Sequence, residues 1–129
     1  MEKLTVVKIG GNIIDNETAL KQFVADFSSI QGHKILVHGG GKLATELSAK
    51  LGIETQMVDG RRITDAETVK VVTMVYAGLI NKRIVAMLNA HGNTAIGLSG
   101  ADAKLLPAIK RPVADIDYGW VGDVLKGEV

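Results

Sequence analysis

Two short apolar runs, each followed by glycines, lie in the first part of the chain. The segment between them is long enough for a helix. Residues 4–9 and 34–38 are rich in β-branched and other apolar side chains. Runs of this kind are typical of strands buried in a parallel sheet. We therefore expect two central strands, the first followed by Gly10-Gly11 and the second by Gly39-Gly40-Gly41.

The spacing of apolar residues predicts a helix after each of these strands. Between the strands the residues that recur at helical spacing are Leu20, Phe23, Val24, Phe27 and Ile30. Asp15 or Asn16 is expected to cap the start of this helix, and Gly32 lies just past its end. After the second strand, leucines repeat every four residues from Gly41 to Gly52, which predicts a helix that starts directly on the glycines. The first part of the chain thus reads as a βαβ unit with a further helix.

The second half of the chain departs from simple alternation. Asp59-Gly60 between two extended runs predicts a β-hairpin. Thr64 and Glu67 have the spacing of a capping box, which predicts a helix over residues 64–77, and Gly78 is expected to break or bend it before another helix over residues 79–90. Residues 94–98 are predicted to form a third central strand, and the region after residue 105 a few short strands or a hairpin.

Composition places the chain among single-domain globular proteins. It has 129 residues, with 15 basic against 14 acidic side chains and a net charge of +1, so it offers no large electrostatic field for nucleic acid. Cysteine is absent, which excludes disulfides and thiolate metal sites and fits a cytoplasmic location. We find no signal peptide and no apolar run of about 18 residues, so no membrane association is expected.

The glycine turns are the first candidate site. In open α/β sheets ligands bind beyond the carboxyl ends of the strands, and both turns stand there. Glycine lets the backbone approach a phosphate closely, and a helix starting at Gly41 adds unpaired N–H groups and the positive end of a dipole. Neither turn matches a dinucleotide or P-loop fingerprint. Two such turns at equivalent strand ends favour an anionic ligand over a purely structural role.

Charged and polar residues near the turns are weighed against structural roles. Lys8 ends a strand expected to be buried, so its ammonium needs a partner such as a phosphate oxygen, or else extends to solvent. Arg62 or Arg61 could clamp a carboxylate, and the spacing does not separate the two. His38 is expected to be a hydrogen-bonded structural residue. Asp102 more plausibly caps a helix than binds a ligand, and the three histidines have no metal-ligand spacing, so no protein metal site is predicted.

Four motifs, in order and spacing, resemble those of the acetylglutamate kinases, within the wider amino-acid kinase family. They are Val7-Lys8-Ile9-Gly10-Gly11-Asn12, Val37-His38-Gly39-Gly40-Gly41, Asp59-Gly60-Arg61-Arg62-Ile63-Thr64 and Ile96-Gly97-Leu98-Ser99-Gly100. The resemblance covers nearly the whole chain, including Tyr118-Gly119-Trp120-Val121-Gly122-Asp123. It implies an α/β fold, a three-layer αβα sandwich with a mainly parallel central sheet.

The resemblance also implies an activity and a role for each candidate site residue. The activity is the ATP-dependent phosphorylation, with Mg²⁺, of the γ-carboxylate of an N-acylglutamate in arginine synthesis. Lys8 then stabilises the transferring phosphoryl group together with Gly10 and Gly11. Gly40 and Gly41 bind the amino-acid substrate, Arg62 grips its α-carboxylate, and the hairpin of Arg62 forms a lid. A homodimer through the helix at residues 64–77 is the expected assembly.

The chain differs from the family pattern in two ways, and both leave alternative functions open. Where the family commonly has Asp-Gly-Asn, this chain has Asp102-Ala103-Lys104, so the acyl group, acetyl or succinyl, stays undetermined. The family continues into a second lobe that holds the ATP-binding elements, and residues 1–129 correspond to the N-terminal lobe only. The rivals are an isolated, non-catalytic carboxylate-binding lobe and another amino-acid kinase such as glutamate 5-kinase.

Overall fold

The computed structural model describes residues 3–126 and begins with the predicted βαβ unit. Strands β1 (Leu4–Ile9) and β2 (His33–His38) pair in parallel, with Leu4 opposite His33 and Ile9 opposite His38. A single turn of helix, α1 (Gly11–Ile14), and a longer helix, α2 (Glu17–Ser29), connect them. The sequence pattern did not predict α1, because four residues are too few for a helical period to show.

Helix α2 is fixed at both ends by side chains. Of the two N-cap candidates, Asn16 is the cap, and its Oδ1 accepts a 2.9 Å hydrogen bond from the backbone N–H of Ala19. At the other end, Lys34 of β2 donates from Nζ to the carbonyl oxygens of Phe27, Ser28 and Ile30 at 2.9–3.1 Å. Gly32 has a φ of +81°, as a glycine just past a helix end requires.

Helix α3 (Gly41–Lys50) and the hairpin after it match the sequence pattern. The helix starts at Gly41 and ends before Gly52, whose φ is +70°. The hairpin consists of β3 (Met57–Val58) and β4 (Arg61–Arg62), which pair antiparallel. Asp59 and Gly60 both have positive φ, 50° and 73°, the geometry of the turn that an Asp-Gly pair favours.

Of the break or bend predicted at Gly78, the break is wrong. Helix α4 (Ala66–Thr73) runs into a π-helical segment (Met74–Ile80) and then into α5 (Asn81–Ala90) without interruption. Val75 and Ile80 on the π-helical segment are both buried, so leaving the helix at Gly78 would remove apolar side chains from the core.

The predicted capping box is also wrong. Asp65 is the N-cap of α4, since its Oδ1 accepts a 2.7 Å hydrogen bond from the N–H of Thr68. The hydroxyl of Thr64 turns back to the carbonyl oxygen of Arg62 at 3.3 Å. Glu67 pairs instead with Lys70, one turn ahead.

The joined helix bears on the expectation that no apolar run of about 18 residues is present. Because Gly78 does not divide it, Ala66–Ala90 is, by length and composition alone, the one helix of the described residues long and apolar enough to cross a membrane. Its buried residues Val71, Val75, Ile80, Ile84 and Leu88 belong to the core cluster. A core helix of a soluble protein passes the same test, so the helix does not indicate a membrane protein.

Only one face of the sheet is covered by the described residues. Val7, Ile9 and Leu36 pack into the core with the helices. On the opposite face the side chains remain exposed, and they are Leu4, Val6, Ile35 and Val37 at 46–59%. The apolar runs predicted strands that are buried on both faces. In the described residues only one face is buried.

Residues 94–98 do not form the predicted third strand. They make no backbone hydrogen bond to β1 or β2 in the described part of the chain, and side chains of α5 bond to two of their backbone polar groups. Lys82 Nζ donates to the carbonyl oxygen of Gly97 at 2.9 Å, and Asn89 Oδ1 accepts from the N–H of Ala95 at 2.8 Å. Ile96 accordingly stays 81% exposed.

The hairpin expected late in the chain is present. Strands β5 (Ala108–Lys110) and β6 (Gly122–Val124) pair antiparallel. Between β5 and β6 the chain returns to the start of α4. The N–H of Thr64 donates to the carbonyl oxygen of Tyr118 at 2.9 Å, and the N–H of Trp120 donates to the carbonyl oxygen of Thr64 at 2.7 Å. This contact anchors the end of the β3–β4 hairpin.

Candidate functional site

The two glycine turns lie side by side at one edge of the sheet. Because Ile9 and His38 are register partners in parallel strands, the residues that follow them leave the sheet at the same level. Each turn opens into a helix, with Gly10 as the N-cap of α1 and Gly40 as the N-cap of α3, and neither cap has a side-chain hydrogen bond. The first N–H groups of both helices are therefore free of an intrahelical partner and of a side-chain cap.

Lys8 stands next to the first turn and is exposed. It projects on the same side of β1 as Val6, on the uncovered face of the sheet. Its Nζ lies 4.0 Å from the point where a Cβ on Gly10 would be. No salt bridge to Lys8 is present among residues 3–126. The expectation that burial would force this lysine to find a partner is wrong for the described residues, whereas its position beside Gly10 agrees with a role at the turn.

The second turn is tightly packed against the π-helical segment. A Cβ on Gly40 would overlap Cδ1 of Ile80 and would lie 3.2 Å from Cδ1 of Tyr76. A Cβ on Gly41 would lie 3.6 Å from the hydroxyl of Tyr76 and 4.0 Å from Nη2 of Arg62. A side chain at residue 40 would therefore displace the end of the Ile80 side chain and press on the ring of Tyr76. The sequence analysis singled out these glycines and assigned no role to Tyr76, which lies within the helix predicted over residues 64–77.

Arg62 reaches the second turn, and Arg61 does not. Nη2 of Arg62 donates to the carbonyl oxygen of Gly41 and to Oγ1 of Thr45, both at 2.9 Å. Its Nη1 is buried and has no hydrogen-bond partner. Arg61, the neighbouring residue, is exposed. The structure therefore separates two arginines that spacing alone could not, and it brings the charge of the Arg62 guanidinium to the glycine turn.

His38 is hydrogen-bonded on both ring nitrogens. Nδ1 lies 3.0 Å from the carbonyl oxygen of Gly39, and Nε2 lies 3.3 Å from the amide nitrogen of Asn81. A neutral ring with the proton on Nδ1 satisfies both contacts. The structural interpretation of His38 is confirmed, and its partner Asn81, buried on a helix with an apolar stripe, is a residue whose role the sequence did not reveal.

Asp102 holds a turn. Its Oδ2 accepts hydrogen bonds from the N–H and the hydroxyl of Ser99 at 2.6 and 2.7 Å. These bonds hold the pKa of the Asp102 carboxyl below its ordinary value of 3.8. The side chain is thus engaged within its own loop, and the predicted helix cap is wrong, since Ala101 is the N-cap of the 3-10 turn at Asp102–Lys104 and has no side-chain hydrogen bond. Residues 3–126 contain no group of three or more His, Asp or Glu side chains that could hold a metal ion.

Comparison with known proteins adds a family and a set of relatives. The profile of the amino acid kinase family matches residues 3–128. The chain is 64% identical over 125 residues to the acetylglutamate kinase of Phocaeicola vulgatus, covering 97% of this chain and 49% of that protein. It is 65% identical over 127 residues to the acetylglutamate kinase of Cytophaga hutchinsonii, covering 98% and 48%. The chain therefore spans about half the length of these curated relatives.

A solved structure shares the fold. The smu.665 protein of Streptococcus mutans UA159 matches with a TM-score of 0.70 at 24% identity, over 95% of this chain and 49% of that one. The likeness, together with the family profile, confirms the fold class predicted from the motifs, an α/β sandwich of three layers around a mainly parallel sheet.

Proposed function

Because the chain belongs to the amino acid kinase family, we propose that residues 1–129 form the N-terminal, acceptor-binding lobe of an acetylglutamate kinase. The complete enzyme would transfer the γ-phosphoryl group of ATP to the γ-carboxylate of N-acetyl-L-glutamate, or of a related N-acylglutamate, in arginine biosynthesis. ATP would come with Mg²⁺ and bind mainly to a second lobe. The observation that carries this proposal is the meeting of Arg62 with the Gly40-Gly41 turn, beside the turn that carries Lys8.

The first turn suits the phosphoryl group. Transfer of a phosphoryl group depends chiefly on positioning and on neutralising the charge of the equatorial oxygens. Lys8 is exposed next to Gly10, so its ammonium can meet an anion at the start of α1, where Gly10 and Gly11 offer backbone N–H groups. Lys8 is proposed as the stabiliser of the transition state, with the two glycines as donors.

The second turn suits the acceptor. Gly40 and Gly41 stand at the positive end of α3 and add no side chain there, and Arg62 adds a guanidinium whose Nη1 is unpaired. Arg62 is proposed to hold the α-carboxylate. The γ-carboxylate that attacks is already anionic, so no general base is needed, and His38 already has contacts on both ring nitrogens.

Assembly and location follow as parts of the same proposal. The helix expected over residues 64–77 corresponds to α4 and the start of the π-helical segment, and Met74 is 52% exposed there. We propose that this helix carries a homodimer contact in a cytoplasmic enzyme.

A second candidate rests on chain length. A lobe that spans about half of its relatives could bind an acylated amino acid and transfer nothing by itself. Glutamate 5-kinase activity is the other alternative, and it would require no acyl group on the acceptor.

Turnover distinguishes these functions. The hydroxamate assay would be run with ATP and N-acetylglutamate, N-succinylglutamate or glutamate, on the 129-residue chain and on the chain joined to the C-terminal half of the Cytophaga hutchinsonii relative. We expect turnover of an N-acylglutamate by the joined protein only. Turnover of free glutamate alone would favour glutamate 5-kinase, and no turnover by the joined protein would contradict the kinase proposal.

Two substitutions in the joined protein assign the roles. Lys8→Ala should lower kcat by about a hundredfold or more with little change in the acceptor KM. Arg62→Ala should mainly raise the acceptor KM, while Arg61→Ala, its exposed neighbour, serves as the matched control. The reverse pattern, with Lys8 changing KM and Arg62 changing kcat, would contradict the assignment.

A further inference from the structure

The hydroxyl of Tyr76 makes no hydrogen bond that would stabilise the fold of the described residues. The ring packs on the second glycine turn, with Cδ1 and Cε1 at 3.2 and 3.3 Å from the position of a Cβ on Gly40. This contact accounts for the ring and would be made equally by phenylalanine. No hydrogen bond from the Tyr76 hydroxyl to residues 3–126 is present, and the oxygen is not among the fully buried unpaired atoms. A polar group is thus carried to the turn without a protein partner there.

The direction of the hydroxyl is toward the acceptor site. The same point, where Gly41 lacks a Cβ, lies 3.6 Å from the Tyr76 oxygen and 4.0 Å from Nη2 of Arg62. Nη2 already donates its two hydrogens to Gly41 and Thr45, so an anion at this point would be attracted by the charge of the guanidinium and would accept its hydrogen bond from the Tyr76 hydroxyl, at a length of roughly 2.7–3.0 Å. The glycine leaves the space between them free of side chain.

The helix that carries Tyr76 is unusual where it meets the turn. Met74–Ile80 is π-helical, a form that is rare and is frequent at functional sites. Within it, Tyr76 and Ile80 both face Gly40. The π turns thus occur where the helix contacts the site, and they place the Tyr76 hydroxyl beyond Gly40 and over Gly41.

We infer that Tyr76 is an acceptor-binding residue, whose hydroxyl donates a hydrogen bond to the α-carboxylate that Arg62 holds. This inference rests on the proposed function and adds a second, neutral donor to the same anionic group. Loss of that donor alone should weaken the binding of the acceptor and leave the packing on Gly40 unchanged.

The test is a calorimetric titration of the 129-residue chain with N-acetyl-L-glutamate. Tyr76→Phe keeps the ring and should raise Kd about tenfold, with thermal stability close to that of the unchanged chain. Tyr118→Phe is the matched control, since Tyr118 is the only other tyrosine, and it should change Kd by less than about twofold. Kd for Tyr76→Phe within twofold of the unchanged chain would overturn the inference.

A double-mutant cycle tests whether the two donors share one carboxylate. In an Arg62→Lys background, Tyr76→Phe should raise Kd by a clearly different factor than in the unchanged chain, because interacting donors are not additive. Equal factors in both backgrounds would overturn the shared carboxylate. Failure of both the unchanged chain and the joined protein to bind any N-acylglutamate would instead remove the proposed function, and the inference with it.

Discussion

Nη2 of Arg62 donates a 2.9 Å hydrogen bond to the carbonyl oxygen of Gly41, a residue 21 positions earlier in the chain. The bond joins the β3–β4 hairpin to the first residue of α3. It means that the guanidinium is held at the glycine turn by the protein itself, before any ligand contributes. An arginine fixed in this way loses less side-chain entropy when it binds a carboxylate.

Thr45 shares in holding Arg62, and its removal should weaken ligand binding. Oγ1 of Thr45 accepts from Arg62 Nη2 and donates to the carbonyl oxygen of Gly41, both at 2.9 Å. Thr45→Val should raise Kd for N-acetyl-L-glutamate by roughly three- to tenfold. Thr73→Val is the control, since Thr73 is equally exposed on a helix and makes the same bond to the carbonyl four residues back. Equal effects of the two substitutions, measured by calorimetry, would argue against a positioning role.

A side chain at Gly40 should destabilise the fold, in contrast with one at Gly39. Gly40→Ala places a Cβ against Ile80 and Tyr76 and should lower the free energy of unfolding by about 1–3 kcal/mol. Nothing lies within 4 Å of a Cβ on Gly39, so Gly39→Ala should be close to neutral. Urea denaturation of both variants measures the difference, and equal stability would show that the π-helical segment yields easily.

The N-cap of α4 makes stability depend on pH in the acidic range. Hydrogen bonds from Thr68 hold the pKa of Asp65 below its ordinary value of 3.8. A lowered pKa in the folded state means that the ionised carboxylate stabilises the fold above the unfolded pKa, and that this contribution is lost as pH falls through the folded pKa. Asp65→Asn retains a capping oxygen without the charge.

Denaturation midpoints between about pH 2 and pH 7 test this effect. Asp65→Asn should be less stable than the unchanged chain at neutral pH, and the difference should shrink as the carboxylate becomes protonated. Asp65→Ala, which lacks both charge and acceptor, should be less stable than Asp65→Asn. A difference that stays constant over the whole range would contradict the pKa assignment.

Ala103 should be replaceable by glycine with a gain in stability. It has a φ of 50° and a ψ of 26°, in the left-handed region where a Cβ costs about 1 kcal/mol or more. Ala103→Gly should therefore stabilise the fold by about 0.5–1 kcal/mol. Ala101→Gly is the matched control, because Ala101 has right-handed angles of −78° and −26°, and it should destabilise by a similar amount. Thermal unfolding compares them.

The sequence predicted those parts of the fold that local chemistry determines. Asn16, Gly32, Gly52 and the Asp59-Gly60 turn each satisfy a backbone requirement of their own neighbours, so their roles are readable without the rest of the structure. The glycine turns were likewise found from the ends of apolar runs.

The parts that sequence missed depend on distant contacts. Gly78 stays helical because the residues around it reach the core, and Thr64 is drawn away from the cap by Arg62 and by the segment around Gly119. Residues 94–98 bond to side chains of α5 and pair with no described strand. Tyr76 was hidden for the same reason, since only the fold brings it to Gly41.

The bond between Thr64 and Tyr118 also has a consequence for the order of folding. The N–H of Ile63 bonds within the hairpin, to Gln56, whereas the N–H of the next residue, Thr64, bonds to Tyr118. Local contacts close early and non-local ones late. In a pulse of hydrogen exchange during refolding, we expect Ile63 to become protected before Thr64, and simultaneous protection would contradict this order. In a chain being synthesised, the hairpin that carries Arg62 would then form unanchored, and gain its fixed position only after residues 118–120 have emerged from the ribosome.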